Sequence, residues 1–345
     1  MRPEGGEPDM SLRIVFQKQK PMRQVLIALT PAWIGSIFFY GWVSAFMVLL
    51  SMTACTAAEW LFVRRRDGKV SEAALVTGML YGLILPPTLP WPMIVLGAMF
   101  GIVFGKMAFG GFGANVFNPA MVGRAFVYIT FPVHMTNRWI PAANFSDFPA
   151  GFLAWRTAPT SGPLSAVTAA TPSHAYTAGK ELAPGFLKLF LGHINGTFES
   201  LGQQTLIGGG SLGEGSALLL LIGGVYLLFK KTARWQLTIG FLGTYFLFQS
   251  VLWLLNPAEA FDPIFALFSG GAILGGFFMV TDPVSAVKTQ KARWFYSGLI
   301  AVLTVLIRSY SLFAGGLMFS ILLGNMFGPL MDVGVRAFES RRSGQ

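Results

Sequence analysis

Ten apolar runs constrain this chain more than any other feature of its sequence. Hydrophobic residues make up 53% of the 345 residues, and charged residues only 12%. A helix needs about 20 largely apolar residues to cross a bilayer, and shorter, broken helices are accommodated where they pack against protein. The runs therefore predict an all-α, polytopic membrane protein with about ten transmembrane helices. They cover residues 24–40, 42–63, 72–86, 92–108, 118–132, 216–230, 236–254, 263–281, 294–308 and 312–331.

The composition argues against several other classes of protein. A net charge of +10 is compatible with nucleic-acid binding, but such binders cluster their bases on a polar face, whereas the bases here flank apolar runs. Cys55 is the only cysteine and lies inside an apolar run, which excludes a disulfide framework. His134, His174 and His193 lack the spacing of metal ligands, so no metal site is predicted.

The distribution of positive charge predicts the topology. Most of the 25 Lys and Arg residues fall in the N-terminal segment 1–23, in alternate connections between runs, and in the C-terminal tail 332–345. Because cytoplasmic segments of membrane proteins are enriched in Lys and Arg, both termini are predicted to lie in the cytoplasm. The segment 133–215 is then predicted to lie on the outer side of the membrane, which for a bacterial inner membrane is the periplasm. It separates a first group of runs, 24–132, from a second group, 216–331.

The two groups of five runs resemble each other. The third run ends at "LILPPTLP" and the eighth at "FFMVTDPVSA", while "NVFNPAMVGRAF" opens the fifth and "LLGNMFGPLMD" lies in the tenth. Because five is an odd number, the second group enters the membrane from the opposite side. The prediction is two inverted five-helix repeats in which several helices are broken. Interrupted helices at matching positions of inverted repeats point to a binding site near the middle of the membrane.

Two short motifs match known patterns in the wrong context. "NPA" occurs at 118–120 and at 256–258, as in water channels of the aquaporin type, but "EAFD" follows the second copy, without the arginine of those channels. A turn or a helix start, with Asn as the N-cap and Pro at the first helical position, is predicted instead. "GGGSLG" at 208–213 fits the dinucleotide-binding pattern, but no strand precedes it and no ribose-binding acid follows it.

The segment "FGGFGANVFNP", 109–119, is a candidate binding site. Its glycines expose backbone amides, and Asn115 and Asn118 add two side-chain amides. Such a mixture suits the edges of a flat heterocycle or an anion. A tight, glycine-rich turn between short helices is the alternative interpretation.

Five ionisable residues in or beside the runs are further candidates. Each is costly where it faces lipid, so each is predicted to face protein or water. Glu59 is expected to cap the second run near the cytoplasmic surface. Asp282 and Asp332, at the broken ends of runs eight and ten, are candidates for a cation pathway or for cofactor binding, with structural Arg–Asp pairing as the alternative. The other two residues are Arg124 and Arg308.

The segment "LSAVTAATP", 164–172, has the composition of a linker, but its order is more specific. "TAAT" resembles the [ST]-[GA]-A-T site at which membrane redox pumps carry covalent flavin. Five further segments are similar to consecutive landmarks of one family: "VTGMLYGLILPPTLPWP", "GKMAFGGFGANVFNPAMVGRAF", "GGGSLGEGSALLLLIGGVYLL", "GGFFMVTDPVSA" and "GNMFGPLMD". This family is the flavin-bearing membrane subunit shared by the Rnf electron transport complex, as RnfD, and the sodium-translocating NADH:quinone oxidoreductase, as NqrB. The resemblance extends over nearly the whole chain and is closer to the RnfD branch.

The resemblance implies two flavins. In this family the last threonine of the tetrapeptide is esterified to the phosphate of FMN, which implies covalent FMN on Thr171. The family usually has an acid six positions before that threonine, whereas this chain has Ser165. A second, non-covalent flavin, riboflavin, is implied near the cytoplasmic side of the broken helices, with Asn115, Asn118 and Asp282 as its binding residues.

The implied function is that of an electron carrier inside a multi-subunit, cation-translocating oxidoreductase. The protein relays electrons between covalent FMN and other redox centres and couples this relay to movement of Na⁺ or H⁺ past Asp282 or Asp332. It is not catalytic alone, and the implied partners are a second covalent-flavin subunit, an iron–sulfur or NADH-side subunit, and a flavin transferase. The alternative is a flavin-free channel or transporter with the same inverted-repeat fold, which Ser165 favours.

Overall fold

Helices dominate the structure, a computed structural model that describes residues 15–64, 68–136, 186–192, 197–200, 203–206, 210–257, 260–311 and 316–343. The helices of the first half of the chain are α1 Lys20–Tyr40, α2 Trp42–Val63, α3 Glu72–Leu83, α4 Trp91–Gly105, α5 Pro119–Thr130 and α6 Pro132–Thr136. Those that follow are α7 Phe186–Leu191, α8 Ala217–Phe229, α9 Trp235–Leu255, α10 Pro263–Phe268, α11 Ala272–Leu274, α12 Gln290–Tyr310 and α13 Gly316–Ser343.

The helices agree in position with the apolar runs, since every predicted run coincides with at least part of a helix. Among the described residues, α3 and α8 are apolar but short. Within the part of the chain that the structure describes, five helices are long and apolar enough to cross a membrane: Lys20–Tyr40, Trp42–Val63, Trp91–Phe109, Trp235–Leu255 and Gly316–Arg342. A polytopic, helical membrane protein is therefore confirmed, whereas ten crossings and an inverted repeat stay predictions.

The third run is interrupted where its prolines lie. α3 ends at Leu83, before the proline pair at 86–87, and α4 begins only at Trp91. Proline cannot continue a helix because it lacks the backbone N–H and its ring clashes with the preceding turn. The carbonyl left free at Leu85 accepts a hydrogen bond from the Leu212 N–H at 3.1 Å. A segment from just before α8 thus completes the broken end of α3.

The eighth run is also broken, although its sequence predicts a single segment over 263–281. α10 stops at Phe268, and α11 continues directly into a π-helical turn, Gly275–Met279. Between them Gly270 adopts a φ of 68°, a left-handed conformation that favours glycine. A Cβ at this position would lie only 2.8 Å from Arg308 Nη2. The left-handed backbone conformation therefore favours glycine at the break, and a Cβ there would also displace the end of the Arg308 side chain.

Two short strand pairs are exceptions to the predicted all-α fold. β1 (Phe16–Gln17) pairs in parallel with β2 (Val70–Ser71), and this pair joins the start of α1 to the start of α3. β3 (Thr197–Ser200) and β4 (Gln203–Leu206) form an antiparallel pair inside the segment that was predicted as a loop between the two groups of runs. The pairs are too short to change the helical class.

Glycines let several helices approach closely. α2 packs on α3, and a Cβ at Gly78 would lie 2.4 Å from Met52 Cα. α4 packs on α5, and a Cβ at Gly101 would lie 2.5 Å from the Pro119 carbonyl oxygen. Small residues at such contacts are the usual means of helix association in membranes. The two groups of helices also contact each other, through α1 with α8 and through α5 with α13.

Candidate functional site

A pocket lies where the first turns of α1, α3 and α5 meet the turn that follows the π-helical segment. The space between its lining atoms amounts to about 510 Å³, including the opening to solvent. Apolar side chains from α1, α3 and the π-helical turn form much of its wall. Its polar lining residues are Thr77, Lys106, Asn115, Asn118 and Asp282. The three residues predicted to bind the non-covalent ligand therefore lie in one pocket, although Asp282 is distant from the two asparagines in sequence.

The asparagines belong to the turn that leads into α5. Asn118 is the N-cap of this helix, because its Oδ1 accepts a hydrogen bond from the Ala120 N–H at 3.0 Å, and Pro119 is the first helical residue. The predicted helix start is thus confirmed for the first NPA motif. Asn115 Nδ2 donates to the Phe117 carbonyl at 3.1 Å. Asn115 Oδ1 and Asn118 Nδ2 make no hydrogen bond to any described residue, so each amide retains one polar atom for a ligand.

The second NPA motif has a different conformation. Asn256 lies at the C-terminal cap of α9 rather than at a helix start, and Pro257 lies in the turn that follows. The turn interpretation therefore holds for this copy and the N-cap interpretation does not. Ala258 lies outside the described residues.

Asp282 organises its own turn. Its Oδ1 accepts from the Val284 N–H at 3.1 Å, and its Oδ2 accepts from Ser285 Oγ at 2.8 Å. Aspartate commonly bonds to the backbone two residues further on and so stabilises a turn. The alternative of a structural Arg–Asp pair is wrong for this residue among the described parts of the chain, since their ion pairs do not include it.

A buried ion pair lies beside the pocket and contributes Lys106 to its lining. Lys106 Nζ donates to Glu59 Oε2 at 2.6 Å and to Ser71 Oγ at 2.5 Å, and the two charged side chains are only 2–3% exposed. The Ser71 N–H donates to Glu59 Oε1 at 3.1 Å. Glu59 was expected to cap the second run near the cytoplasmic surface, because it lies near the end of that run. This prediction is wrong, because its side chain is buried and pairs with Lys106. The sequence did contain a signal, because Lys106 is the only charged residue between Glu72 and Arg124.

Asn325 of α13 connects the two sides of the pocket. This residue is fully buried, and its Oδ1 accepts from the Asn118 N–H at 3.0 Å. Its Nδ2 donates to Tyr296 Oη at 2.7 Å and to the Ser285 carbonyl at 3.4 Å. The sequence indicated that "NVFNP" and "GNMFGP" echo each other, but it did not indicate that their asparagines are in contact.

Asp332 lies elsewhere. Its two carboxylate oxygens accept hydrogen bonds from the N–H groups of Lys288 and Thr289 at 2.8 Å and from Thr289 Oγ1 at 2.7 Å. Thr289 is the N-cap residue of α12, so a carboxylate from α13 satisfies amides at the start of that helix. Asp332 is not among the residues that line the pocket. The alternative of an Arg–Asp pair is not formed here either among the described residues, since backbone amides and a hydroxyl bind the carboxylate.

The two arginines face protein, as predicted for ionisable residues within the runs. Arg308 donates to Tyr245 Oη at 2.6 Å and to the Ser269 carbonyl at 2.9 Å, close to the break in the eighth run. Arg124 points into the helix bundle, where its buried Nε has no hydrogen-bond partner among the described residues. Thr171 and Ser165, the residues of the predicted covalent flavin site, lie outside the described residues.

Comparison with known proteins decides the family. The family model described as "NQR2, RnfD, RnfE family" matches residues 12–339. This chain belongs to that family. A protein of Cronobacter sakazakii, named as the D subunit of an ion-translocating oxidoreductase complex, is 34% identical over 337 residues, which cover 92% of this chain and 93% of the relative. Proteins of the same name from Alcanivorax borkumensis and Erwinia tasmaniensis are 35% and 34% identical, with about 90% of each chain covered. The resemblance inferred from the sequence motifs, and its closer likeness to the RnfD branch, are confirmed.

Proposed function

We propose that this chain is the RnfD-type flavin electron carrier of a multi-subunit, cation-translocating oxidoreductase. It carries covalent FMN on Thr171 and binds riboflavin in the pocket. The relatives named as subunits of an ion-translocating oxidoreductase complex support membership of such a complex. The observation that carries the flavin proposal is the convergence of Asn115, Asn118 and Asp282 on one pocket.

The residues of the pocket fit an isoalloxazine ring. Its edges present both hydrogen-bond acceptors and donors. The free Asn115 Oδ1 complements a ring donor, and the free Asn118 Nδ2 complements a ring acceptor. Phe112 and Phe278 also line the pocket and offer flat apolar surfaces. When bound, the flavin supplies the electron-transfer chemistry, while the protein supplies position, electrostatics and exclusion of water.

The proposed topology has ten crossings in two inverted five-helix repeats, with both termini in the cytoplasm. The coincidence of every apolar run with a helix supports the ten crossings. The third and eighth runs are each the third run of their group, and both are interrupted, which supports the repeat. In this arrangement the pocket faces the cytoplasm, and the segment 133–215 with Thr171 lies in the periplasm.

Coupling to cation movement involves Asp282 and Asp332 in this proposal. Asp282 is the stronger candidate because it lines the pocket, so a change in the charge of a ligand there acts directly on its carboxylate. Na⁺ or H⁺ is the cation moved. The protein exchanges electrons with an iron–sulfur or NADH-side subunit and with a second covalent-flavin subunit, and a flavin transferase attaches the FMN.

In-gel fluorescence tests the covalent part of the proposal. The purified protein is denatured, separated by electrophoresis and viewed under ultraviolet light, and its mass is measured for an FMN adduct. The wild-type band is expected to fluoresce, Thr171→Ala to be dark, and the matched control Thr168→Ala to fluoresce like the wild type. A dark wild-type band without the adduct contradicts the carrier function and favours a flavin-free transporter, for which Ser165 is the motivating residue.

A further inference from the structure

Lys106 brings a positive charge to the wall of the pocket. Its ammonium group is held by Glu59 Oε2 and Ser71 Oγ, and the residue is only 1% exposed. It also lies 5.7 Å from the centre of the Phe112 ring, another lining residue. Because three neighbours hold the ammonium group in place, its charge acts on the pocket from one fixed position.

The partner of Lys106 offsets this charge only in part. Lys106 lines the pocket, whereas Glu59 is not among the lining residues, so the cationic residue of the pair is the one that borders a bound ligand. The other charged lining residue is Asp282, and its carboxylate has the opposite sign. Without Lys106, the carboxylates of Glu59 and Asp282 would act on the pocket without the cation that pairs with Glu59. The potential at the pocket therefore becomes more negative when Lys106 is replaced by a neutral residue.

We infer that Lys106 is the electrostatic residue of the pocket that favours the reduced form of the bound isoalloxazine, and that Glu59 and Ser71 position it. This inference rests on the proposed binding of riboflavin. Two-electron reduction adds two electrons and one or two protons to the ring, and with one proton the ring gains a negative charge. A fixed cation at the wall stabilises that added charge and so binds the reduced form more tightly than the oxidised form.

Redox titration of the pocket flavin tests this role. Every protein carries Thr171→Ala, which removes the covalent flavin, and the bound riboflavin is reduced with dithionite while its absorbance is recorded. Lys106→Met is expected to lower the ratio of the affinity for reduced riboflavin to the affinity for oxidised riboflavin at least tenfold. This change is equivalent to about 30 mV in a two-electron midpoint potential. Lys106→Arg keeps the charge and is expected to retain most of the wild-type potential.

Glu59→Gln separates an electrostatic role from a merely structural one. Measured at a pH low enough to keep Lys106 protonated, it breaks the same ion pair but leaves the cation, so the midpoint potential is expected to rise, opposite to Lys106→Met. Equal downward shifts in both variants would mean that the pair acts only by supporting the fold, and this result overturns the inference. Lys291→Met is the matched control, because its ion pair with Glu339 at 3.1 Å is about half exposed and does not line the pocket.

A double variant covers the case in which Lys106→Met does not fold. Removal of one partner leaves a buried, unpaired charge, whereas removal of both is often tolerated. Glu59→Gln/Lys106→Met is therefore expected to fold and still to have a lowered potential, since the nearer charge dominates. An unchanged potential in riboflavin-loaded protein overturns the inference alone. Absence of riboflavin from protein with Lys106 intact overturns the proposed pocket function, and the inference with it.

Discussion

Asp282 and Asp332 follow apolar runs in the same way, yet the structure places them in different surroundings. Asp282 bonds within its own turn, to Val284 and Ser285, and lines the pocket. Asp332 extends from α13 to the first amides of α12 and does not line the pocket. In both places, an aspartate at the end of an apolar run uses its carboxylate to cap backbone N–H groups. Only its position relative to the first group of helices, of which α1, α3 and α5 line the pocket, distinguishes a site residue.

Asn325 holds the turn that contains Asp282 against the start of α5, because it bonds to both. Asn325→Leu is expected to have the largest effect. It leaves the Asn118 N–H and Tyr296 Oη without their buried partner, and each unsatisfied group costs about 1–3 kcal/mol. We expect a lower melting temperature in detergent and loss of bound riboflavin. Met326→Leu, at a half-exposed neighbouring position, is the control. Retention of both properties by Asn325→Leu would show that the two walls are held together by other contacts.

Asp282→Ala is expected to have an intermediate effect that is confined to the pocket. Loss of its two acceptor interactions destabilises the turn by about 1 kcal/mol, as for a helix cap. We expect the affinity for riboflavin, measured by equilibrium dialysis, to fall severalfold because the wall that carries Pro283 and Val284 is no longer fixed.

Asp262→Ala is the matched control for that change. Asp262 caps α10 through the Ile264 and Phe265 N–H groups at 2.9 and 3.0 Å, and it does not line the pocket. An equal loss of riboflavin in both variants would mean that Asp282 acts only through general stability.

Asp332→Asn is expected to have the smallest effect on the pocket. The neutral side chain still offers one carbonyl oxygen to the amides of α12, but it removes a negative charge from the start of the helix, which costs about 0.3–1 kcal/mol. Riboflavin binding is expected to be unchanged. In proteoliposomes that contain the whole complex, Na⁺ or H⁺ uptake is expected to slow if Asp332 lies on the cation pathway, and unchanged uptake would remove it from that pathway.

The sequence predicted the helices better than the contacts between them. Hydropathy located every run because burial in lipid or protein requires an apolar surface around most of each helix. It did not locate the break at Gly270, where the Ser269 carbonyl accepts a hydrogen bond from Arg308, a residue of a helix that lies later in the chain. The pairing of Glu59 with Lys106 was missed for a similar reason, because the two residues lie 47 positions apart and meet only in the packed bundle.

The candidate site was predictable from its residue types but not from its geometry. Asn115, Asn118 and Asp282 were predicted from the family resemblance and from the glycine- and asparagine-rich turn, and the structure brings all three to one pocket. Lys106 and Asn325 were not predicted as site residues. A lone lysine in an uncharged stretch and an asparagine in an apolar helix both indicate buried partners, but the sequence does not identify those partners.

Release of flavin by acid shows directly whether the pocket binds a non-covalent flavin. Thr171→Ala protein, which carries no covalent FMN, is purified, precipitated with acid, and the flavin in the supernatant is identified by mass. If the pocket binds riboflavin, a stoichiometric amount is expected, with a marked loss when Asn115→Leu is added to remove the free Oδ1. Absence of riboflavin from the Thr171→Ala protein, or an equal amount with and without Asn115→Leu, would contradict riboflavin binding in this pocket.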